Sequence, residues 1–192
     1  MKAKPKQDGQ LDEELVLVRK AKRGDHDAFS RLVRLNQKRI YRLVYRFCRD
    51  HDTADELAQE TFVKAYMSLD TFREEYRFSS WIGTIATNLA FNHLKRQKRQ
   101  VSIVDYPIEE IIADPNPGAD PSRSLTDREM MDRLEEEVEK LPPEYKAVFI
   151  LRVNEELSYD EIAKRLGIEM GTVMSRLFRA RSRLKKALED YL

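Results

Sequence analysis

The sequence predicts an all-α fold made of two small helical domains joined by a flexible linker, and three observations carry that reading. Apolar residues recur at helical spacing through most of the chain, with no alternating strand pattern. The periodicity breaks once, between Val101 and Leu125, where four prolines, one glycine and five acidic residues gather against a single Arg. Beyond the break, Ser158 to Lys186 encodes two short helices separated by a glycine, which is helix-turn-helix spacing. A chain of 192 residues with 41% hydrophobic side chains fills one large core or two small ones, and the break favours two.

Residues 1–12 read as a polar, disordered tail, and the first domain spans 13–100. Leu15, Val18 and Ala21 begin a short helix that stops near Gly24. Phe29, Leu32, Val33, Ile40, Leu43, Val44 and Phe47 carry a longer second one. Ala54, Leu57, Ala58, Phe62, Ala65, Tyr66 and Leu69 give a third, with Asp52 or Thr53 as its expected N-cap. A fourth runs from about Ser80 to Arg99 and is expected to bury Ile82, Ile85, Ala86 and Leu89, completing one bundle.

Residues 101–125, with Pro107, Pro115, Pro117, Pro121 and Gly118, hold neither a helix nor a core and read as an acidic, Pro-rich linker. Helical period resumes at Thr126 and opens the second domain, 126–192. Leu141-Pro142-Pro143 ends one helix there and starts the next, Glu144 to about Val153.

The helix-turn-helix closes the chain. Ser158 and Glu161 form a capping box, Tyr159, Ile162, Ala163 and Leu166 an apolar stripe, and Gly167 suits the left-handed position that ends such a helix. In the following helix Val173, Leu177, Ala180 and Leu184 repeat as a buried face, while Thr172, Ser175, Arg176 and Arg179 share the opposite one. Gly171 to Ala187 holds six Lys/Arg and no acid, whereas Asp127 to Glu169 holds seven against thirteen. A merely solvated helix usually mixes signs, so this concentration points to DNA.

The net charge of +1 names no partner, because the sign is segregated: residues 1–100 carry +7 and residues 101–126 carry −4. The single cysteine, Cys48, excludes an internal disulfide framework and fits a reducing compartment. MKAKPKQDGQ has no apolar stretch behind its charges, and no run approaches about 18 apolar residues. The chain is therefore read as soluble and cytoplasmic, with no direct membrane insertion.

Three surfaces stand out in the first domain. DTFREEYRFSS, Asp70 to Ser80, is dense in rings, and Phe72, Tyr76, Phe78 and the following Trp81 lie beside Arg73 and Arg77. Such rings stack bases or pack the loop onto the bundle; packing accounts at least equally well for Phe78 and Trp81, and for Phe72 and Tyr76 both readings stay open. Asn88, Phe91, Asn92 and Lys95 fall at i, i+3, i+4 and i+7 and lead into Lys95, Arg96, Lys98 and Arg99. Amides for base edges, a ring for stacking and cations for phosphates fit single-stranded DNA, and ordinary solvated helix positions fit as well. Asp55, Glu56, Gln59 and Glu60 make an acidic face that repels DNA and so addresses protein. The helix dipole alone accounts for Asp55 and Glu56, less well for the other two.

These blocks, in this order, resemble the ECF (extracytoplasmic function) RNA polymerase sigma factors, group IV of the sigma-70 family. The resemblance covers about residues 13–188 and rests on GDHDAFSRLV, on DTADELAQETFVKAY running on through LDTFREEYRFSSWIGTIATNLAFNHLKR, and on LPPEYKAVFILRVNEELSYDEIAKRLGIEMGTVMSRLFRARSRLK. It implies that the first domain is sigma region 2 and the second is region 4, and that the chain is a promoter-specificity subunit starting transcription of a stress or envelope regulon. The implied partners are core RNA polymerase, through the clamp helices of its largest subunit and the flap of the second largest, promoter DNA, and an anti-sigma factor. Asp55, Glu56, Gln59 and Glu60 would contact polymerase. Phe72, Trp81, Asn88, Asn92 and Lys95 would melt and read the minus-ten element, capturing a flipped base. Thr172, Ser175, Arg176, Phe178 and Arg179 would read the minus-thirty-five element in the major groove. Met174 departs from the family pattern, which often has Arg or Lys there.

Two other classes compete. A stand-alone helix-turn-helix regulator leaves the aromatic loop unexplained and has no evident dimerisation helix. An enzyme or metalloprotein finds little support, since His26, His51 and His93 are dispersed and Cys48-x-x-His51 is half a metal site. Glu74-Glu75 reads as loop solvation, and no phosphate loop, nucleophile elbow or HExxH occurs. No catalytic residue, metal ligand or cofactor is assigned.

Overall fold

The computed structural model describes residues 8–102 and 127–189, and among them every regular element is helical. Tail residues 1–7 and linker residues 103–125 lie outside the described residues. The chain divides into two compact units between His93 and Leu94.

In the first unit, α1 spans Asp8–Lys22 and so begins inside the expected tail. Leu17, Val18 and Ala21 anchor it, and the buried Glu14 accepts a 3.2 Å hydrogen bond from Asn36 Nδ2. Arg19, Lys20 and Lys22 in its last turn complement the helix dipole. The chain turns at Gly24, whose φ of +91° is a conformation open to glycine. Asp25 then caps α2, His26–Cys48, accepting the Ala28 N–H at 2.9 Å. Leu32, Ile40, Leu43, Val44 and Phe47 form its fully buried stripe.

α2 ends on Arg49, held left-handed at φ 52° with its N–H on the Tyr45 carbonyl at 2.8 Å. That turn makes Asp50 the N-cap of α3, His51–Met67, in place of the expected Asp52 or Thr53. Asp50 Oδ1 accepts the Thr53 N–H at 2.8 Å, and hydrogen bonding from Thr53 holds its carboxyl below the ordinary range. A short 3₁₀ turn, Leu69–Thr71, leads into the loop before α4, Phe78–Ser102. α4 is longer at both ends than its sequence pattern, and it buries Ile82, Ala86 and Ala90 while Ile85 and Leu89 stay half-buried. Arg39 of α2 donates to the Ser79 carbonyl at 2.7 Å, tying α2 to the first turn of α4.

The second unit takes in the end of α4 from Leu94 and holds α5 (Asp127–Lys140), α6 (Pro143–Val153), α7 (Tyr159–Leu166) and α8 (Met170–Leu188). Pro143 sits at the start of α6, where its missing N–H costs nothing. The buried Lys146 ammonium meets Glu139 at 2.7 Å and fixes the α5–α6 corner. Val138 and Leu141 pack on Ala180 and Leu184, with Leu134, Tyr145 and Phe149 around them. Ser158 and Glu161 form the complete capping box of α7, which holds the Glu161 carboxyl below its ordinary range. Gly167 closes α7 left-handed at φ 64°. Three residues later α8 starts, with Val173, Leu177, Ala180, Leu184 and Leu188 facing inward.

Candidate nucleic-acid and protein interfaces

The core stripe of α3 fixes what its other side presents. With Ala54, Leu57, Ala58, Thr61 and Ala65 buried, Asp55, Glu56, Gln59 and Glu60 are exposed together. Glu60 pairs with Lys64 at 3.0 Å on the surface, a contact worth little by itself. Sequence reading missed that the outer face turns apolar further along: Val63 is 57% and Met67 80% exposed. Tyr66, expected in the core, is exposed at the rim, its hydroxyl 3.0 Å from His26 Nδ1 and its ring edge-on to Phe29. The signal lay in the spacing, since Val63 and Met67 are four apart and out of phase with the core. Beside this face runs a groove of about 570 Å³ between α2 and α3, lined by Val33, Tyr41 and Arg42 on one wall and Asp55, Gln59 and Phe62 on the other. Acid at one end, apolar area at the other and an adjoining groove suit a protein partner.

The loop between α3 and α4 differs most from expectation. Phe72 is only 3% exposed, and its ring packs edge-on to Phe78 at 5.8 Å and to Trp81 at 5.4 Å. Lys22 clamps it, donating to the Phe72 carbonyl at 2.8 Å with the ammonium 5.9 Å from the ring centre. The ring expected to stay open for bases is therefore an internal anchor, because burial in an aromatic cluster outweighs exposure on a short loop. Glu74 likewise does more than solvate the loop. Its Oε2 accepts from Arg19 at 2.6 and 3.0 Å, which lowers the Glu74 pKa and raises that of Arg19. Tyr76 is exposed. Between α1 and this loop lies a cavity of about 290 Å³, bounded by Glu14, Val18, Phe72, Tyr76, Arg77 and Phe78.

Along α4, Trp81 is half-buried in the ring cluster, while Asn88, Asn92 and Lys95 are exposed in line with the half-buried Phe91. His51, the partner of Cys48 in the half metal site, instead stacks on Tyr45 at 4.7 Å and meets the Tyr41 hydroxyl at 2.5 Å. No helix among the described residues is long and apolar enough to cross a membrane.

On α8, Ser175, Phe178 and Arg179 are exposed and Thr172 and Arg176 half-buried, so one surface carries all five. Arg179 Nη1 donates to the Tyr145 hydroxyl at 3.2 Å, which raises the Arg179 pKa, and the Arg183 guanidinium lies 5.5 Å from the Tyr145 ring centre. Tyr145, on α6, thus aims two cations of α8 at solvent. Nothing in the sequence announces that contact across 34 residues.

An all-helical pair of units, one with a polar helix behind an aromatic loop and one with a basic helix-turn-helix, agrees with the comparisons to known proteins. Residues 32–100 match the sigma-70 region 2 family, and residues 131–184 match sigma-70 region 4. The chain is 33% identical over 186 residues to the ECF RNA polymerase sigma factor SigW of Bacillus subtilis, covering 90% of this chain and 95% of that one. It is 35% identical to the RNA polymerase sigma-H factor of Pseudomonas aeruginosa, with 94% and 96% covered.

The chain belongs to the ECF RNA polymerase sigma factors. Residues 32–100 form its region 2 and residues 131–184 its region 4, and the chain is a promoter-specificity subunit that binds core polymerase and promoter DNA. Sigma factors direct initiation without being its catalyst. The fold is also that of the sigma factor RpoE of Bartonella quintana, solved in complex with the anti-sigma factor NepR, at 25% identity and a TM-score of 0.59, with 84% of this chain and 96% of that one covered. CnrH, solved with the cytosolic domain of CnrY, shares the fold at 24% identity and a TM-score of 0.63, with 92% and 97% covered.

Proposed function

We propose that three surfaces divide the work of this sigma factor. The outer face of α3, acidic from Asp55 to Glu60 and apolar at Val63 and Met67, docks on core polymerase. The loop from Phe72 to Phe78 and the Asn88, Asn92 and Lys95 line of α4 melt and read the minus-ten element. The outer face of α8, through Thr172, Ser175, Arg176, Phe178 and Arg179, reads the minus-thirty-five element as duplex. The observation that carries this reading is the opposite chemistry of two exposed helix faces, since a polyanion is attracted to α8 and repelled by the first half of α3.

Base capture fits the loop cavity better than an open ring does. An unstacked base needs apolar walls and polar groups for its edge, and unstacking costs a few kcal/mol that such a pocket offsets. Phe72 and Phe78 supply wall, and Tyr76 and Arg77 stand at the rim. Phe72 acts from beneath, as support, and Trp81 works mainly within the same cluster. RpoE of Bartonella quintana was solved with an anti-sigma protein. A regulator of that kind covering the α3 or α8 face here would silence the chain by competing with polymerase or DNA. The domain limits 13–100 and 126–192 are proposed as the functional regions, with the stretch between them as connector.

Purified chain mixed with core polymerase and a promoter library, followed by sequencing of transcript starts, tests this reading. A motif in two parts, one near the start and one upstream, is the expected result. Starts with no common upstream sequence would refute the role of α8.

A further inference from the structure

The exposed surface of α8 is not uniform around its axis. With Val173, Leu177, Ala180 and Leu184 pointing into the core, Thr172, Arg176, Arg179 and Arg183 follow one another along one flank at steps of four, three and four. Met170, Met174 and Phe178 follow one another along the other flank at steps of four. They are 51%, 50% and 71% exposed, so three large apolar side chains stand in water on a helix whose remaining surface is cationic. Ser175 separates the flanks, and its hydroxyl donates to the Thr172 carbonyl at 3.1 Å, leaving only acceptor capacity outward.

We propose that the apolar flank, through Met174 and Phe178, reads thymine methyl groups in the upstream element; the proposal rests on α8 being the upstream reader. Six Lys/Arg and no acid between Gly171 and Ala187 commit the helix to a polyanion. In the major groove the bases present carbonyl, ring-nitrogen and amino groups, and one apolar group, the thymine C5-methyl. Met174 and Phe178 pressed against guanine or cytosine edges would strip those groups of water and give no hydrogen bond back. Against thymine the same contact buries apolar surface on both sides. The two flanks therefore read by different chemistry. The cationic flank selects guanine or phosphate through charge-assisted hydrogen bonds, and the apolar flank selects A·T pairs, oriented so that the methyl faces Met174 or Phe178.

The test uses holoenzyme, formed from the full chain and core polymerase, on a promoter taken from the selection above. Each thymine of the upstream element is replaced in turn by deoxyuridine, which removes the methyl and keeps the O4 acceptor. Promoter binding is expected to fall about fourfold at one or two positions, the value of one buried methyl-sized group. Met174→Ala or Phe178→Ala should abolish that sensitivity at its own position and not at the other. Both side chains are exposed, so these variants keep the fold, which circular dichroism checks. Met174→Arg should lose methyl sensitivity while steepening the salt dependence of binding. A selected upstream element without thymine on either strand overturns the proposal. So does unchanged binding at every deoxyuridine position while the element itself still matters. Weaker core-polymerase binding by the two Ala variants, with the thymine-to-deoxyuridine ratio unchanged, also overturns it in favour of a protein contact. Complete indifference to upstream sequence would instead sink the reading of α8 on which the proposal stands.

Discussion

Two phenylalanines on surfaces proposed to meet DNA, Phe72 before α4 and Phe178 on α8, lie in opposite surroundings: the first is 3% exposed, the second 71%. In the reading proposed for it, region 2 folds a loop onto an aromatic cluster, so the groups that would shape the site also hold the unit together. Region 4 carries its proposed reading groups on the outside of a helix already fixed by Val173, Leu177, Ala180 and Leu184. In the first, recognition and stability are coupled. In the second, they are separable.

The sharpest way to break that contrast is to truncate both rings. Phe72→Ala is expected to destabilise the protein by about 3–5 kcal/mol, the usual cost of a buried Phe, read as a lowered midpoint in denaturant. Phe178→Ala should stay within about 0.5 kcal/mol of the parent while weakening promoter binding. Equal losses of stability would erase the distinction. Next in size, Arg176→Ala and Arg179→Ala are each expected to weaken upstream-element binding roughly ten- to a hundredfold and to lower the salt dependence, with unfolding unchanged.

A smaller effect separates scaffold from reader within region 4. Ser158→Ala removes half of the α7 capping box and should cost about 1 kcal/mol of stability with sequence preference intact. Its partner Glu161 titrates below its ordinary value in the folded state, because it accepts from the Ser158 backbone and hydroxyl. The stabilisation it gives is thus present above the unfolded pKa of 4.5 and fades as pH falls through the lower folded value. Unfolding followed by circular dichroism between neutral and acid pH should show both proteins losing stability towards acid, with the gap between parent and Ser158→Ala narrowing but not closing, because the Ser158 hydroxyl still accepts the Glu161 N–H. Smallest of all, Tyr145→Phe keeps the ring under Arg183 and removes only the hydroxyl that accepts from Arg179. It should weaken upstream binding about two- to fivefold, a direct binding measurement being sensitive enough to see it.

Much of the fold was legible because helices write a period into the sequence. The stripes of α2, α7 and α8, the Ser158–Glu161 box, the turn at Gly167 and the Pro143 start all stand where spacing and caps put them. Elements decided by a competition between neighbours were not legible. Asp50, Asp52 and Thr53 are all competent caps, and the left-handed turn at Arg49 chose the first. A ring in a short loop has no period to say whether it points in or out, which is how Phe72 was misplaced. The partly apolar α3 face was hidden because Val63 and Met67 fall between residues that read as core. Contacts across the chain, such as Tyr145 to Arg179 or Glu74 to Arg19, leave no local trace at all.

The central claim is that polymerase docking and upstream reading belong to different faces. Core-polymerase affinity and upstream discrimination, measured side by side for a Gln59→Ala/Glu60→Ala variant and for Arg179→Ala, test it most directly. The account predicts that the α3 variant loses roughly tenfold in core affinity with its preferred sequence unchanged. It predicts that Arg179→Ala keeps core affinity and loses discrimination. Equal losses by both variants in both assays would contradict it.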